Sequence, residues 1–259
     1  MDKITVYLAD WQVLFREGIH FTLSGEEDIE VIGETTSNEE ALSFIETNAP
    51  RVAVLNANRE KLSGIAITRR IKQNVPSVSI ILVMDEESEE LFFSSIKSGA
   101  CAFITKDINP EKLLSIIREV AQGGQPISGK LLQPGLALRT LDEFEAFTLI
   151  SPQVDNLLAR LTPREAEILS RIGEGTSLEE MASNMTLDED TIRHHLDVII
   201  SKLVTNDHSR QLIESLHDSR TVLGAKGRLL DNPEITYVTK DEFSVFKDNM
   251  KKTLESLFG

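Results

Sequence analysis

The sequence predicts a doubly wound α/β domain on a five-stranded parallel sheet, then an all-helical domain and a short α/β C-terminal extension. Three observations carry this. Residues 1–125 alternate short apolar runs with stretches of helical periodicity, five times over. The runs are apolar at consecutive positions, as strands of a sheet covered on both faces must be. Residues 160–216 keep helical periodicity throughout, and residues 217–259 place a strand-like run before a helical repeat.

The elements follow in order. Ile4–Ala9 reads as a strand and Leu14–Leu23 as a helix. Ile29–Gly33 is a strand, and Asn38–Thr47 carries Ala41, Leu42 and Ile45 at helical spacing. Val52–Leu55 is followed by a helix from Gly64 to Gln73, and Val78–Val83 by one from Glu87 to Ser98. Ala102–Thr105 is the fifth strand, with a helix from Pro110 to Gln122. The run Gly123-Gly124-Gln125-Pro126 ends the domain. In residues 126–159, Gly129, Pro134 and Gly135 interrupt the pattern, and Leu141, Phe144, Phe147 and Leu149 then outline a helix. A partly helical linker is expected there. In residues 217–259, Asp231-Asn232-Pro233 is a turn and Ile235–Val238 a strand. Thr239 and Glu242 form a capping box before the repeat Phe243, Phe246, Met250, Leu254, Leu257.

Composition excludes several functions. The chain of 259 residues has 42 acidic and 27 basic side chains, a formal charge of −15 and one cysteine, Cys101. One cysteine allows neither an internal disulfide nor a cysteine-rich zinc module, and Cys101 is expected as a small core residue. The N-terminus lacks the apolar run of a signal peptide, and no membrane span is present, so a cytoplasmic protein is expected. The acidic balance argues against sequence-blind nucleic-acid binding but leaves room for a small reading surface. No GxSxG, Walker, HExxH or GxGxxG pattern occurs, and neither catalysis nor a cofactor is expected.

Ligands of open parallel sheets bind at the carboxyl ends of the strands. Asp10, Asn56 and Lys106 fall there, after the first, third and fifth strands. With Leu14-Phe15-Arg16-Glu17-Gly18, Gly64, Gly99-Ala100 and Lys106-Asp107-Ile108, these positions resemble the receiver domain of NarL/FixJ-type bacterial response regulators, a flavodoxin-like fold. The resemblance implies an acidic pair for magnesium, a phosphoacceptor aspartate, a hydroxyl residue and a lysine. Here Asp10 remains of the pair, with Trp11 beside it. Asn56 stands at the phosphoacceptor, Met84 at the hydroxyl residue, and Lys106 is kept. An acyl phosphate needs a carboxylate nucleophile, magnesium needs hard oxygen donors, and a thioether donates no hydrogen bond. A degenerate receiver that aspartyl phosphorylation does not switch is therefore expected. Asp10 and Lys106 are expected as a direct ion pair, the alternative being two solvated charges at the rim. Trp11 is expected to fill the volume of the missing metal site, the alternative being an exposed anchor for a partner.

Residues 161–216 carry the second pattern. Leu161-Thr162-Pro163-Arg164-Glu165 opens a helix with a capping box, and Ile168, Leu169 and Ile172 mark its buried face. Glu174–Ser177 is a turn, Leu178–Asn184 a short helix with Met181 and Ala182 buried, and Asp188 leads into a longer helix from Thr191 to Leu203. Short helix, turn and longer helix is the helix-turn-helix layout. The order LTPRE, EG, SLEEMA, TIRHHL, KL resembles the LuxR-type DNA-binding domain, which commonly follows a NarL/FixJ receiver. That resemblance puts the Thr191–Leu203 helix in the major groove, with Arg193 and His194 toward bases and Thr191 and Lys202 toward phosphates. Arg193 can pair bidentately with guanine. His195 matches a family histidine whose role the sequence does not fix. The module holds 6 basic and 11 acidic residues, with Glu179, Glu180 and Asp188 among its departures, which weighs against tight phosphate binding. Adjacent His194 and His195 diverge around a helix and are not expected to bind metal.

The division expected is a receiver at 1–125, a linker at 126–159, the helix-turn-helix at 160–216 and an extension of unknown role at 217–259. The function expected is a transcriptional regulator that reads double-stranded DNA as a homodimer, without aspartyl phosphorylation. It would be constitutive, or gated by a protein partner, a small ligand at the receiver or its own abundance. The alternative is an interaction and dimerisation module with a vestigial helix-turn-helix.

Overall fold

A computed structural model describes residues 3–57, 63–86, 88–148 and 158–224, with side chains as far as residues 147 and 212 in the last two spans. Five strands, β1 (Ile4–Ala9), β2 (Ile29–Thr35), β3 (Val52–Asn56), β4 (Ser79–Met84) and β5 (Ala102–Thr105), alternate with α1 (Val13–Ser24), α2 (Asn38–Asn48), α3 (Gly64–Asn74), α4 (Glu89–Ser98) and α5 (Pro110–Ala121). All pairings are parallel, in the order β2-β1-β3-β4-β5. This is the doubly wound order that places a crevice where the strand order reverses, at β1 and β3. The predicted α/β class holds, and most elements end within two residues of expectation. β2 runs on to Thr35 because Glu34 and Thr35 pair with Leu8 and Ala9 of β1.

Alternation along each strand sends side chains to two apolar clusters. Val6, Leu8, Val52, Val54, Ile81 and Val83 pack under α1 and α5 with Ile19, Leu23 and Ile117. Tyr7, Ala9, Ala53, Leu55, Ile80, Leu82 and Met84 pack under α2, α3 and α4 with Ile45, Ile71 and Ile96. Ser37, Ser63, Ser88 and Asn109 cap four of the helices by accepting from backbone N–H groups. Gly64 has no alternative, because a Cβ there would lie 2.2 Å from the Asn56 carbonyl oxygen. The close approach seats the start of α3 against the end of β3. Cys101 is half-buried at the edge of the α1/α5 cluster, more exposed than the core position expected.

The segment expected as a linker is a 3-10 stretch, Pro126–Leu132, and a full helix, α6 (Pro134–Thr148). Pro134 does not interrupt α6. It occupies the first turn, where its missing N–H has no partner to lose. Ile127, Leu131, Leu136, Ala137, Phe144 and Phe147 are buried in the same apolar cluster as the α2–α4 side of the sheet. The expected Leu149 contact lies outside the described residues.

The helical module is α7 (Pro163–Gly173), α8 (Leu178–Met185) and α9 (Glu189–Gly224). Thr162 and Glu165 form the expected capping box, and Ser177 and Glu180 form a second. α9 does not stop at Leu203: no Gly or Pro interrupts residues 189–223, so the helix runs through the expected boundary at 217. Ile168, Leu169, Ile172, Met181, Ile192, Leu196, Ile199 and Leu203 join the cluster that also holds α6 and the sheet. The sheet, α6 and the module as far as Ile213 belong to one compact unit. The strand, capping box and helical repeat expected between 231 and 257 lie outside the described residues. Among the described residues, no helix is long and apolar enough to cross a membrane.

Candidate functional site

β1, β3, β4 and β5 all end at one rim. The register pairs Ala9 with Leu55, Asn56 with Val83 and Met84 with Thr105, which brings the next residues along each strand together there. Asp10 is 4% exposed and Asn56 1%. The Asn56 amide Nδ2 donates to Asp10 Oδ2 at 2.7 Å. The other carboxylate oxygen, Oδ1, accepts the Gln12 backbone N–H at 2.7 Å. The Asp10 carbonyl accepts from Arg16 Nη1 at 3.0 Å. A buried carboxylate must be satisfied by donors or cations, and here both oxygens are.

Lys106 lies 3.8 Å from Asp10 Oδ2, so the expected ion pair is present. Asp10 is not the nearer of the lysine's two carboxylate partners. Lys106 Nζ makes its hydrogen bond to Asp85, a half-exposed residue at the end of β4 that the motif reading passed over. Its signal was available: Asp85 directly follows Met84 and so falls on the same rim as Asp10, Asn56 and Lys106. Met84 is fully buried. Trp11 corrects the expectation. It does not fill the metal volume but is 47% exposed, and the Lys106 ammonium lies 5.4 Å from its ring centroid and 5.6 Å from that of Phe15. The indole turns outward because the Asp10–Asn56 bond already occupies the interior. It forms a cation–π cover on the lysine instead.

Magnesium, which a receiver fold implies, does not fit this donor set. Asp10 is the one buried carboxylate of the four rim residues, and it spends both oxygens on N–H groups. Asn56 presents amide hydrogens to it, Trp11 faces out, and Asp85 is engaged by Lys106. No group of three His, Cys, Asp or Glu suited to a metal occurs among the described residues.

The second candidate surface lies on α9. Asp188 Oδ1 accepts the Thr191 backbone N–H at 2.6 Å, closing the helix start, and that bond holds the Asp188 carboxyl below its ordinary pKa. Ile192, Leu196, Ile199, Ile200 and Leu203 are buried, whereas Arg193 and His194 are exposed. Thr191 and His195 are half-buried. Arg193 Nη2 lies 3.9 Å from Glu189 across one helical turn, with both side chains half-exposed. Lys202 does not join this surface. Its Nζ donates to Glu165 Oε1 and Oε2 at 2.8 and 2.7 Å, and Glu165 is 3% exposed. Glu165 is fixed inward by its capping bond to the Thr162 N–H, so it needs a buried cation, and Lys202, itself largely buried, supplies it. Arg171 and Arg164 pair with Glu167, and Arg164 also donates to the Met185 carbonyl. Glu179, Glu180, Asp188, Glu189 and Asp190 are exposed around the start of α8 and α9. The positive field of the module is thus largely spent inside it.

Residues 6–118 match the response regulator receiver domain, and residues 159–214 match the bacterial regulatory proteins of the luxR family. The chain is similar to the transcriptional regulatory protein DegU of Brevibacillus brevis, 28% identical over 221 residues, covering 83% of this chain and 94% of that protein. It is also similar to the nitrate/nitrite response regulator NarL of Escherichia coli K12, 27% identical over 202 residues, covering 78% and 90%.

Proposed function

Because the chain is a DNA-binding response regulator that joins a receiver domain to a luxR-type regulatory domain, we propose that it regulates transcription without aspartyl phosphorylation. The hydrogen bond from Asn56 to Asp10 carries this reading. Phosphoryl transfer to a receiver needs an anionic carboxylate to attack phosphorus. At residue 56 the group is a neutral amide whose nitrogen lone pair is delocalised, and its N–H is committed to Asp10. Lys106 is committed to Asp85 and Asp10. Met84 offers no hydroxyl to a phosphoryl oxygen. The input left to such a receiver is a protein partner, a small ligand at the altered pocket, or the abundance of the chain. No enzymatic step belongs to this role.

Arg193 and His194, exposed on α9, are proposed as the base-reading residues, with Thr191 toward the phosphate backbone and His195 supporting the same face. Lys202 leaves the set of phosphate contacts. The chain is proposed to bind duplex DNA as a homodimer, with half-sites about one helical turn apart, in the cytoplasm where a bacterial chromosome lies. Residues 6–118 and 159–214 carry these two roles, and the helical segment between them is proposed as a structural bridge rather than a tether.

The internal pairing of Lys202 and Arg171 favours a second reading, in which the module no longer binds DNA and the chain docks partners. Fluorescence anisotropy with duplex genomic fragments at two salt concentrations separates the two. Binding that falls with salt, weakens about ten- to a hundredfold in Arg193→Ala, and does not change with acetyl phosphate supports the proposed role. Binding that acetyl phosphate strengthens contradicts phosphorylation independence. No binding at either salt favours the docking module.

A further inference from the structure

Two adjacent buried polar residues, Asn206 and Asp207, tie the middle of α9 to other parts of the molecule. Asn206 takes both backbone groups of Ala159: its Oδ1 accepts the N–H at 2.7 Å, and its Nδ2 donates to the carbonyl at 2.9 Å. Asp207 faces the receiver. Its Oδ2 accepts from Arg69 Nε of α3 at 3.1 Å and from Gln211 Nε2 at 2.9 Å, and its Oδ1 lies 3.5 Å from Lys97 Nζ of α4. Lys97 also pairs with Glu143 of α6, and Arg210 lies 4.0 Å from Glu143. Beside the cluster, α9 comes so near the end of α4 that a Cβ on Gly99 would lie 3.4 Å from Val204 Cγ1.

We propose that Arg69, Lys97 and Asp207 form an interdomain latch that fixes the orientation of the DNA-reading head on the receiver while leaving its reading face uncovered. Asp207 keeps only 9% of its side chain exposed, and a carboxylate so buried needs its cations. Both cations come from the receiver, so the charge is neutralised only while α9 sits in this one place. Arg193 lies fourteen residues from Asp207 along α9, about 21 Å at 1.5 Å per residue, and it and His194 stay exposed. The grip is therefore at the middle of the helix and the free end is the one proposed to read bases. The latch goes beyond the DNA-reading role, and its readout is domain orientation, measured without DNA.

Nitroxide pairs at Glu111→Cys on α5 and Ser183→Cys on α8, both exposed positions, in a Cys101→Ser background of the full chain, report that orientation as a distance distribution by pulsed EPR. A single narrow distribution is expected, and Asp207→Asn is expected to about double its width. Arg69→Gln and Lys97→Gln, which remove the charge but keep a polar side chain, are expected to broaden it as well while circular dichroism stays native. A broad distribution in the unaltered background, or unchanged width in all three variants, overturns the latch. In DNA titrations, Asp207→Asn is expected to stay within about threefold of the parent. A rise in affinity beyond about tenfold overturns the uncovered-face part of the proposal, because it means the latched state hides the head. If neither parent nor variant binds DNA while the EPR result holds, the DNA-reading role fails and the latch stands.

Discussion

At position 56 a single atom change separates an amide from a carboxylate, and the surroundings have adjusted to the amide. Asn56→Asp would place two carboxylates where one hydrogen bond of 2.7 Å now lies, at residues 1% and 4% exposed. Like charges at that separation cannot both ionise. The variant is expected to lose about 1–3 kcal/mol at pH 7 in urea melts. The introduced acid has a raised pKa when folded, so the loss shrinks as pH falls and the shared proton restores a donor to Asp10. A variant as stable as the parent at pH 7 would contradict the pairing described. Lys202 gives a second test at this scale. Lys202→Ala leaves Glu165 buried without its cation and is expected to cost about 3–5 kcal/mol. If Lys202 were instead a phosphate contact, the same change would leave stability intact and lower the salt slope of DNA binding by about one.

Among the elements, α9 depends on its first turn. The Thr191 N–H depresses the folded pKa of Asp188. A depressed acid contributes stability above its unfolded pKa and loses it as pH falls through the folded value. Asp188→Ala is therefore expected to be less stable than the parent at pH 7, with the gap closing below about pH 4, followed by thermal melts across that range. A gap independent of pH would mean the cap is not ionic. The sequence made this start legible because Asp at an N-cap is a local signal. The end of α9 was not legible in the same way. The expected extent was Thr191 to Leu203, whereas the chain supplies no breaker before Gly224. Pro134 misled for the opposite reason: proline breaks a helix interior but suits a first turn, and only the neighbouring burial of Leu136 and Ala137 shows which applies.

Over the whole molecule, one apolar cluster runs from Tyr7 and Leu55 through Ile127, Leu131 and Phe144 to Ile168 and Leu196. The segment between the two domains is part of a common core. Leu131→Ala, at a fully buried position, is expected to cost about 2–5 kcal/mol. It should lower the unfolding midpoint equally by fluorescence of Trp11, the one tryptophan, and by helical circular dichroism. Separate shifts in the two signals would mean that the receiver and the helical module unfold independently. The strand and helix order of both parts was legible because period and punctuation are local. The rim pocket was legible at Asp10, Asn56, Met84 and Lys106, where position in a motif carries the chemistry. The outward turn of Trp11 and the inward turn of Lys202 were not, because each depends on which charge another element brings within reach.

The most direct test of a receiver closed to phosphorylation is intact-mass spectrometry after incubation with acetyl phosphate and magnesium. The parent is expected to gain no phosphoryl group, whereas Trp11→Asp/Asn56→Asp/Met84→Thr, which restores the missing donors together, is expected to gain one. A phosphoryl group on an aspartate of the parent, at Asp10 or Asp85, would contradict the account.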